Sequence, residues 1–492
     1  LLPYLREKRW FAGKARSVSS IRLAATEPVI IDNLREWACT ICEITFEDGT
    51  RQSYFIPLLI AERTDGSSEG ACIAVGRFED RPYRVLDALQ DDRFCRDLER
   101  AIRSGETISL TRGTLKFSSS HLLSGPSKGQ IEPVIRPKVE QSNSSFFLGT
   151  RISIKIYRQI QHGVNPEFEI GKFLTEHTSF PHAARLGGAL EFMGNEGEIA
   201  TLAILQEYIP NRGDGWNHTL ARLNDLCDAL ENGRNADPET LSEQMERLGE
   251  RIGNLHAVLA STHGDPAFEP EPVTEEDWSG WRNSIELSLG QTIGDLGRTI
   301  GNLPSRKTAL IEELCGSFSG VQAWLKTFNP DLNGIRKSRI HGDLHLGQVL
   351  VTDDDFVIID FEGEPSRPIR TRRDKALPMR DVAGMVRSFS YATRMTTRQR
   401  AAGNSAFDQR LAKLVTSWET IMIHRFLKGY RQGAADCVSV PQERALFNRL
   451  LSLFLLEKAL YECAYEMNNR PDWIDIPVSG LREIVGSILH PR

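Results

Sequence analysis

The chain has 492 residues, with 60 basic against 66 acidic side chains, a net charge of −6, and 40% hydrophobic and 26% charged residues. That length corresponds to about three domains of ~150 residues, which excludes a single small module, and the apolar content excludes disorder, collagen or coiled coil as descriptions of the whole. The slightly acidic balance offers no field to hold a polyanion, so nucleic acid is not an expected partner.

No run reaches the ~20 apolar residues of a membrane span and the amino terminus lacks a signal-peptide pattern, so a cytoplasmic protein with no membrane partner is expected. Eight cysteines are scattered along the chain, and the one close pair, Cys39 and Cys42, has no second pair at metal-ligand spacing nearby. These read as reduced structural thiols.

Two β-rich runs from Trp37 to Leu59 flank the acidic turn Glu47-Asp48-Gly49-Thr50, which predicts a hairpin. A charged helical segment is predicted from Leu86 to Ser104, so the first 100 residues read as a β-rich unit of their own. A second β-rich region follows, with strands expected at Val134–Val139, Phe146–Leu148, Ile152–Tyr157 and Ala200–Gln206. Beyond a Gly/Asn/Asp-rich crossing at Asn211–Gly215 the pattern turns helical. Apolar residues at Met245, Leu248, Ile252, Leu255 and Leu259 recur at helical spacing over Leu241–Ala260, and another long helix is expected over Gln442–Asn468, stopping before Pro471. Between them, Val349–Val351 and Phe356–Ile359 form a short predicted hairpin around Thr352-Asp353-Asp354-Asp355.

That hairpin carries the most informative residues, in Ile340-His341-Gly342-Asp343-Leu344-His345-Leu346-Gly347-Gln348 and Ile359-Asp360-Phe361-Glu362. Kinase-type phosphoryl transfer needs a loop carboxylate to orient the attacking hydroxyl and accept its proton. It also needs an amide five residues on and a second carboxylate after a short hairpin, to hold Mg²⁺ on the phosphates. Asp343, Gln348 and Asp360 occupy those places, with Gln348 where the kinase pattern has Asn and Glu362 where it has Gly. An amide oxygen of either residue is a hard-metal ligand. Each piece alone is commonly a turn or a helix cap; the ordered string is not.

Upstream, a strand lysine and a helical carboxylate should clamp the nucleotide phosphates. Lys155 alternates with isoleucines in Ile152–Ile156, and Glu169 lies 14 residues later, one turn into a helix opened by Pro166, with Glu167 the competing carboxylate. A Gly-rich phosphate loop is missing; Gln141, Ser142, Asn143 and Ser144 form a small polar turn before the lysine strand that could contact phosphates instead. Gln206 and Tyr208 end the strand leading to the expected adenine hinge, offering mainly backbone groups.

For the acceptor, Tyr461 and Tyr465 stand one turn apart, as do Glu462 and Glu466, an arrangement suited to stacking on a sugar face and binding its hydroxyls. Packing in the core is the plainer alternative for the tyrosines. His345, Glu362 and Arg387 complete the expected substrate-binding set, Asp381 lying on the same helix as Arg387. His256 reads as a packed histidine, and the basic run from Arg367 to Arg380 as a solvated loop.

With these motifs in place, the sequence resembles the maltokinases, members of the aminoglycoside-phosphotransferase-like kinases, over nearly its whole length. The resemblance is carried by Arg9-Trp10-Phe11-Ala12-Gly13-Lys14, Glu140-Gln141-Ser142-Asn143, His341 to Gln348, Asp360-Phe361-Glu362-Gly363-Glu364-Pro365 and Tyr461-Glu462 through Asn469-Arg470-Pro471-Asp472-Trp473. It implies an α+β, two-lobed protein-kinase-like fold with an additional β-rich N-terminal cap. The expected division is a cap over 1–100, a nucleotide-binding lobe over 101–209 and a mainly helical lobe over 210–492. The implied activity is phosphorylation of maltose by ATP with Mg²⁺ at the anomeric hydroxyl, in trehalose and α-glucan metabolism. The opening residues are similar to the junction of trehalose synthase/maltokinase fusions, so fusion to or association with such a synthase is a further expectation. Glucosamine or another aminosugar is the alternative acceptor, and a catalytically silent nucleotide-binding module the alternative outside enzymes; Asp343, Asp360 and Lys155, all present, speak against the latter.

Overall fold

The structure, a computed structural model, describes residues 1–490 other than 32–34, 63–71, 79–80, 124–131, 138–142, 300–304, 402 and 404. Two compact units emerge, one of residues 1–210 with 366–372 and one of residues 211–365 with 373–492.

In the first unit, α1 (Leu2–Glu7) precedes β1 (Val18–Ile31), β2 (Arg35–Phe46), β3 (Arg51–Phe55), β4 (Leu58–Glu62), β5 (Cys72–Phe78) and β6 (Arg81–Asp87). The predicted hairpin is β2–β3, closed by a turn in which Gly49 takes φ of 80°. Next come α2 (Asp92–Ser104), β7 (Thr107–Leu110), β8 (Gly113–Ser119), β9 (Val134–Ile135), β10 (Ser144–Leu148), β11 (Ile152–Ile156), β12 (Gln159–Ile160), α3 (Pro166–Glu176), β13 (Leu186–Gly194) and β14 (Ile199–Glu207). They make two seven-stranded antiparallel sheets. One runs β12-β3-β2-β4-β6-β5, with β1 on β2; the other runs β7-β8-β13-β14-β11-β10-β9. After β11 the chain crosses over, and β12 extends the first sheet by pairing with β3.

The helix expected from Leu86 begins later. Leu86 lies in β6, paired with Leu59 of β4 and Cys72 of β5, and α2 starts only where the Asp91 side chain accepts from the backbone N–H groups of Arg93 and Phe94. The apolar face of α2 is the reason the two sheets share a core. Phe94, Leu98 and Ile102 pack with Trp37 and Phe55 of the first sheet and with Leu115, Phe146, Ile154 and Leu205 of the second. A smaller cluster, with Tyr4, Trp10, Phe11, Phe46 and Tyr54, fills the other face of the first sheet. Cys39 belongs to the larger cluster and Cys42 to the smaller, because residues three apart on a strand point to opposite faces. Burial pushes their thiols up to about 12 and about 11, as inert structural cysteines require.

The second unit contains α4 (Gly215–Glu231), α5 (Ser242–Leu259), β15 (Glu271–Pro272), α6 (Glu275–Thr299), α7 (Ser305–Thr327), β16 (Arg336–Lys337), β17 (Val349–Val351), β18 (Phe356–Ile358), α8 (Met379–Arg400), α9 (Ser405–Gly433), α10 (Arg444–Asn469) and α11 (Asp475–Leu489). α5 and α9 meet backbone to backbone. A Cβ on Gly253 would sit 2.5 Å from the Tyr430 carbonyl oxygen, and one on Gly429 would overlap the Glu246 carbonyl. Glycines on both helices are what permit that approach. Among the described residues no helix is long and apolar enough to cross a membrane.

Candidate functional site

Lys155 lies on a central strand, not an edge. β11 is flanked by β10 and β14, Lys155 facing Ser145 on one side and Ile204 on the other, while Ile152, Ile154 and Ile156 turn into the core. The Lys155 ammonium donates to Glu167 Oε2 at 2.7 Å, and the Tyr157 hydroxyl donates to the same oxygen at 2.7 Å. This corrects the expected Lys155–Glu169 pair. Asn165 caps α3 by accepting from the N–H groups of Glu167 and Phe168, and Pro166 opens the helix. Glu167 is thereby buried at the first turn, while Glu169, two residues and ~200° further round the helix, is half-buried.

Gln141 and Ser142 lie outside the described residues. Asn143 and Ser144 are half-buried, and the Ser144 hydroxyl accepts from Arg158 Nε at 2.8 Å. Gln206 sits in the ladder between Ser153 and Leu186. Tyr208, expected with Gln206 to offer mainly backbone groups to a nucleotide base, donates its backbone N–H to the Arg151 carbonyl at 2.8 Å, because β14 stays paired with β11 past its end. The Tyr208 ring rests edge-on against Phe147.

In the second unit, the loop of Asp343 is held from α8 and from the β17–β18 hairpin. The backbone N–H groups of His341 and Gly342 donate to Asp381 Oδ2 and Oδ1 at 2.7 and 2.9 Å, and His256 Nε2 lies 3.1 Å from Oδ2. Burial works to raise the Asp381 carboxyl, but the hydrogen bond and charge of His256, with His341 and the Gly342 amide, more than offset it and hold it below the usual carboxylate range. His256 is the packed histidine expected, its Nδ1 2.9 Å from the Tyr430 hydroxyl. His341 Nε2 faces the Ile359 carbonyl at 2.9 Å, which requires a proton on Nε2. A Cβ on Gly384 would lie 2.5 Å from the Leu344 carbonyl oxygen, so α8 approaches this loop only because position 384 is bare.

His345 turns its ring inward to cap its own turn. Its Nδ1 accepts from the Gly347 N–H at 3.0 Å, and burial pulls its pKa below the ordinary histidine value. The hairpin after it is anchored through its acidic turn, with Arg251 on Asp355 at 2.9 Å and Arg212 on Asp353 at 2.8 Å. The Gln348 carbonyl accepts from the Ile359 N–H at 3.0 Å, so Gln348 stands across the hairpin from the residue before Asp360. Asp360 takes φ of 67°, a left-handed backbone uncommon outside glycine that Asp tolerates better than most. Carboxylate oxygens of Asp360 and Glu362 lie within 4.8 Å of each other. Two hard oxygen donors at that spacing fit Mg²⁺.

On α10, Tyr461 and Tyr465 stack with ring centroids 6.3 Å apart, and Tyr465 is exposed, so this pair is not core. The Tyr461 hydroxyl donates to Glu364 Oε1 at 2.8 Å. Two expected sugar contacts are corrected. Arg387 is buried, and its guanidinium is bound to Glu462 at 2.6 Å. Glu466 is also buried, bonded to the Tyr391 hydroxyl and to Arg470 at 2.6 Å. Both side chains support α10 from within. Lys458 and Tyr391 had no role assigned from the sequence, Glu364 entered only within the motif Asp360 to Pro365, and Asp381 was placed beside Arg387 without its anchoring role. The turn spacing from Tyr461 back to Lys458 was the available signal for that lysine.

Comparisons with known proteins bear on the family and the fold. The sequence pattern of the phosphotransferase enzyme family matches residues 135–400, and that of the maltokinase N-terminal cap domain matches residues 4–91. A glucosamine kinase of Mycolicibacterium smegmatis is 26% identical over 381 residues, covering 76% of this chain and 85% of that protein. A glucosamine kinase of Streptacidiphilus jiangxiensis is 23% identical over 284 residues, covering 58% of each. A solved glucosamine kinase in complex with glucosamine, ADP and inorganic phosphate superposes with a TM-score of 0.62 at 20% identity, covering 96% of each chain, which shows a shared fold.

Proposed function

The chain belongs to the phosphotransferase enzyme family, and from that premise we propose that it transfers the γ-phosphoryl group of ATP to the anomeric hydroxyl of maltose, giving maltose 1-phosphate and ADP. Support for maltose comes from the match to the maltokinase cap domain. The observation that carries a neutral sugar over an aminosugar is the state of the two α10 glutamates. Glu462 is paired with Arg387 and Glu466 with Arg470, so neither brings an uncompensated charge for an ammonium substrate.

In this reading Asp343 accepts a hydrogen bond from the anomeric hydroxyl and takes its proton as the oxygen attacks the γ-phosphorus. The bond from that phosphorus to the β–γ bridging oxygen breaks, and ADP leaves. Lys155, fixed by Glu167, holds the nucleotide phosphates. Gln348 and Asp360, with Glu362 beside Asp360, would hold Mg²⁺, which supplies charge neutralisation on the phosphates. Tyr461 and Tyr465 offer a stacking surface to a pyranose. The reaction would run in the cytoplasm, supplied with maltose by a trehalose synthase fused to or associated with this chain.

The second reading is a glucosamine kinase, favoured by the names of the similar proteins. ADP release with ATP and Mg²⁺ across maltose, glucose, glucosamine, trehalose and an aminoglycoside separates the two. Signal with maltose and a product without a reducing end is expected; signal with glucosamine alone would replace the first reading by the second.

A further inference from the structure

Lys458 brings a positive charge to this centre, and its position has a consequence for which sugars can enter. Its ammonium lies 3.3 Å from Asp343 Oδ1 and 4.0 Å from Glu364 Oε2, and sits 4.9 Å from the centroid of the Tyr461 ring. Burial alone would lower this lysine. The carboxylates of Asp343 and Glu364, with Glu462 behind them, more than reverse that and hold it above the ordinary lysine value. It is therefore charged at neutral pH.

The surrounding side chains leave that ammonium in place. Glu462, one turn along α10, is taken by Arg387, so it does not draw Lys458 away. Tyr461, three residues on, donates to the Glu364 oxygen that Lys458 does not face. Lys458 thus spans the hydroxyl-orienting carboxylate and the carboxylate of the loop that follows Asp360. An acceptor bearing its own ammonium would find its natural partners already matched with a positive charge. It would have to enter beside that charge or expel it.

We propose that Lys458 is a specificity-determining residue, an internal ammonium that fixes Asp343 and Glu364 for neutral sugar hydroxyls and excludes amino sugars. The inference rests on the assignment of Asp343 as the acceptor-orienting carboxylate. It acts through Asp343 and Glu364, which makes it a positioning residue whose charge, beyond its bulk, is the operative property.

The test compares wild type, K458M and K458R on maltose and on glucosamine, measuring kcat/KM for each with melting temperature as the control for folding. Wild type and K458R are expected to prefer maltose. K458M is expected to lose maltose turnover, mainly in kcat, and to shift the glucosamine-to-maltose ratio of kcat/KM upward by about 100-fold. An unchanged ratio in a folded K458M would overturn the proposal, as would a K458R that shifts like K458M, since the charge would then be irrelevant. K458Q is read by the same ratio should K458M melt early. Failure of the maltose assignment shows separately, in wild type before any substitution, as absence of maltose turnover.

Discussion

Asp381 is the residue through which the loop of Asp343 is tied to the helical unit, accepting from two backbone amides and facing His256. An Asn in its place supplies one acceptor fewer and points an N–H at one of those donors, so Asp381→Asn should cost about 3 kcal/mol at pH 7, read as a lower urea midpoint. The sign of its pH dependence follows from a carboxyl held below its ordinary value. The stability it contributes is present above the unfolded value of about 3.9 and is lost as pH falls through the folded one. The difference between wild type and the variant should therefore hold from pH 8 down to about pH 5 and shrink below about pH 4.

Asp343→Asn should abolish turnover while ATP binding by calorimetry stays within about twofold, since the variant keeps shape and loses the proton acceptor together with the charge that faces Lys458. Surviving turnover would reassign the loop. Asp343, Gln348 and Asp360 stand in one ordered string, which is why the sequence singles them out together as candidates. The choice of Glu167 over Glu169 was open in the sequence because two residues of helix phase decide it, and that phase is set by the Asn165 cap. Arg387 and Glu466 were misassigned for another reason. Their cross-helix partners, Glu462 and Tyr391, show themselves only when α8 and α10 are packed together, whereas Arg470 is an i, i+4 neighbour of Glu466.

At the scale of elements, α10 offers a stripe from Lys458 through Tyr461 to Tyr465 on successive turns. Tyr465→Ala removes half of the stacked pair, and a rise of about tenfold in the KM for maltose, with the ATP value unchanged, is expected from steady-state kinetics. Equal rises in both would take Tyr465 out of the sugar site. Where α5 and α9 cross, Gly429→Val should lower stability by about 3 kcal/mol or more in denaturant titration, because the added carbon meets the Glu246 backbone. Long periodic elements such as α5 and α10 were legible nearly to their ends, since helical spacing repeats over many residues. The start of α2 was not, because sheet pairing of Leu86 overrides a charged, helix-prone composition.

Within the amino-terminal unit, the resemblance foresaw a β-rich cap, yet the sequence carried no sign of how the cap sheet joins the sheet of Lys155. The join is a shared core around α2 together with a buried network. Arg158, three residues past Lys155, binds Asp87 at 2.6 Å and Ser144 at 2.8 Å, and Tyr4 donates to the same Asp87 oxygen at 2.7 Å. Arg158→Met leaves Asp87 buried without its cation and should cost about 3–5 kcal/mol. Trp10 and Trp37, packed on the two faces of the first sheet, should then report one earlier transition by fluorescence; separate transitions would show that the shared core holding Trp37 and the cluster holding Trp10 unfold independently.

The most direct measurement for the molecule as a whole is phosphorus NMR of the product formed from maltose, ATP and Mg²⁺ by the wild-type chain, beside Asp343→Asn. A resonance coupled to the anomeric proton, growing with ADP and absent in the variant, is the predicted result. Maltose left unchanged while glucosamine is phosphorylated would contradict the assignment.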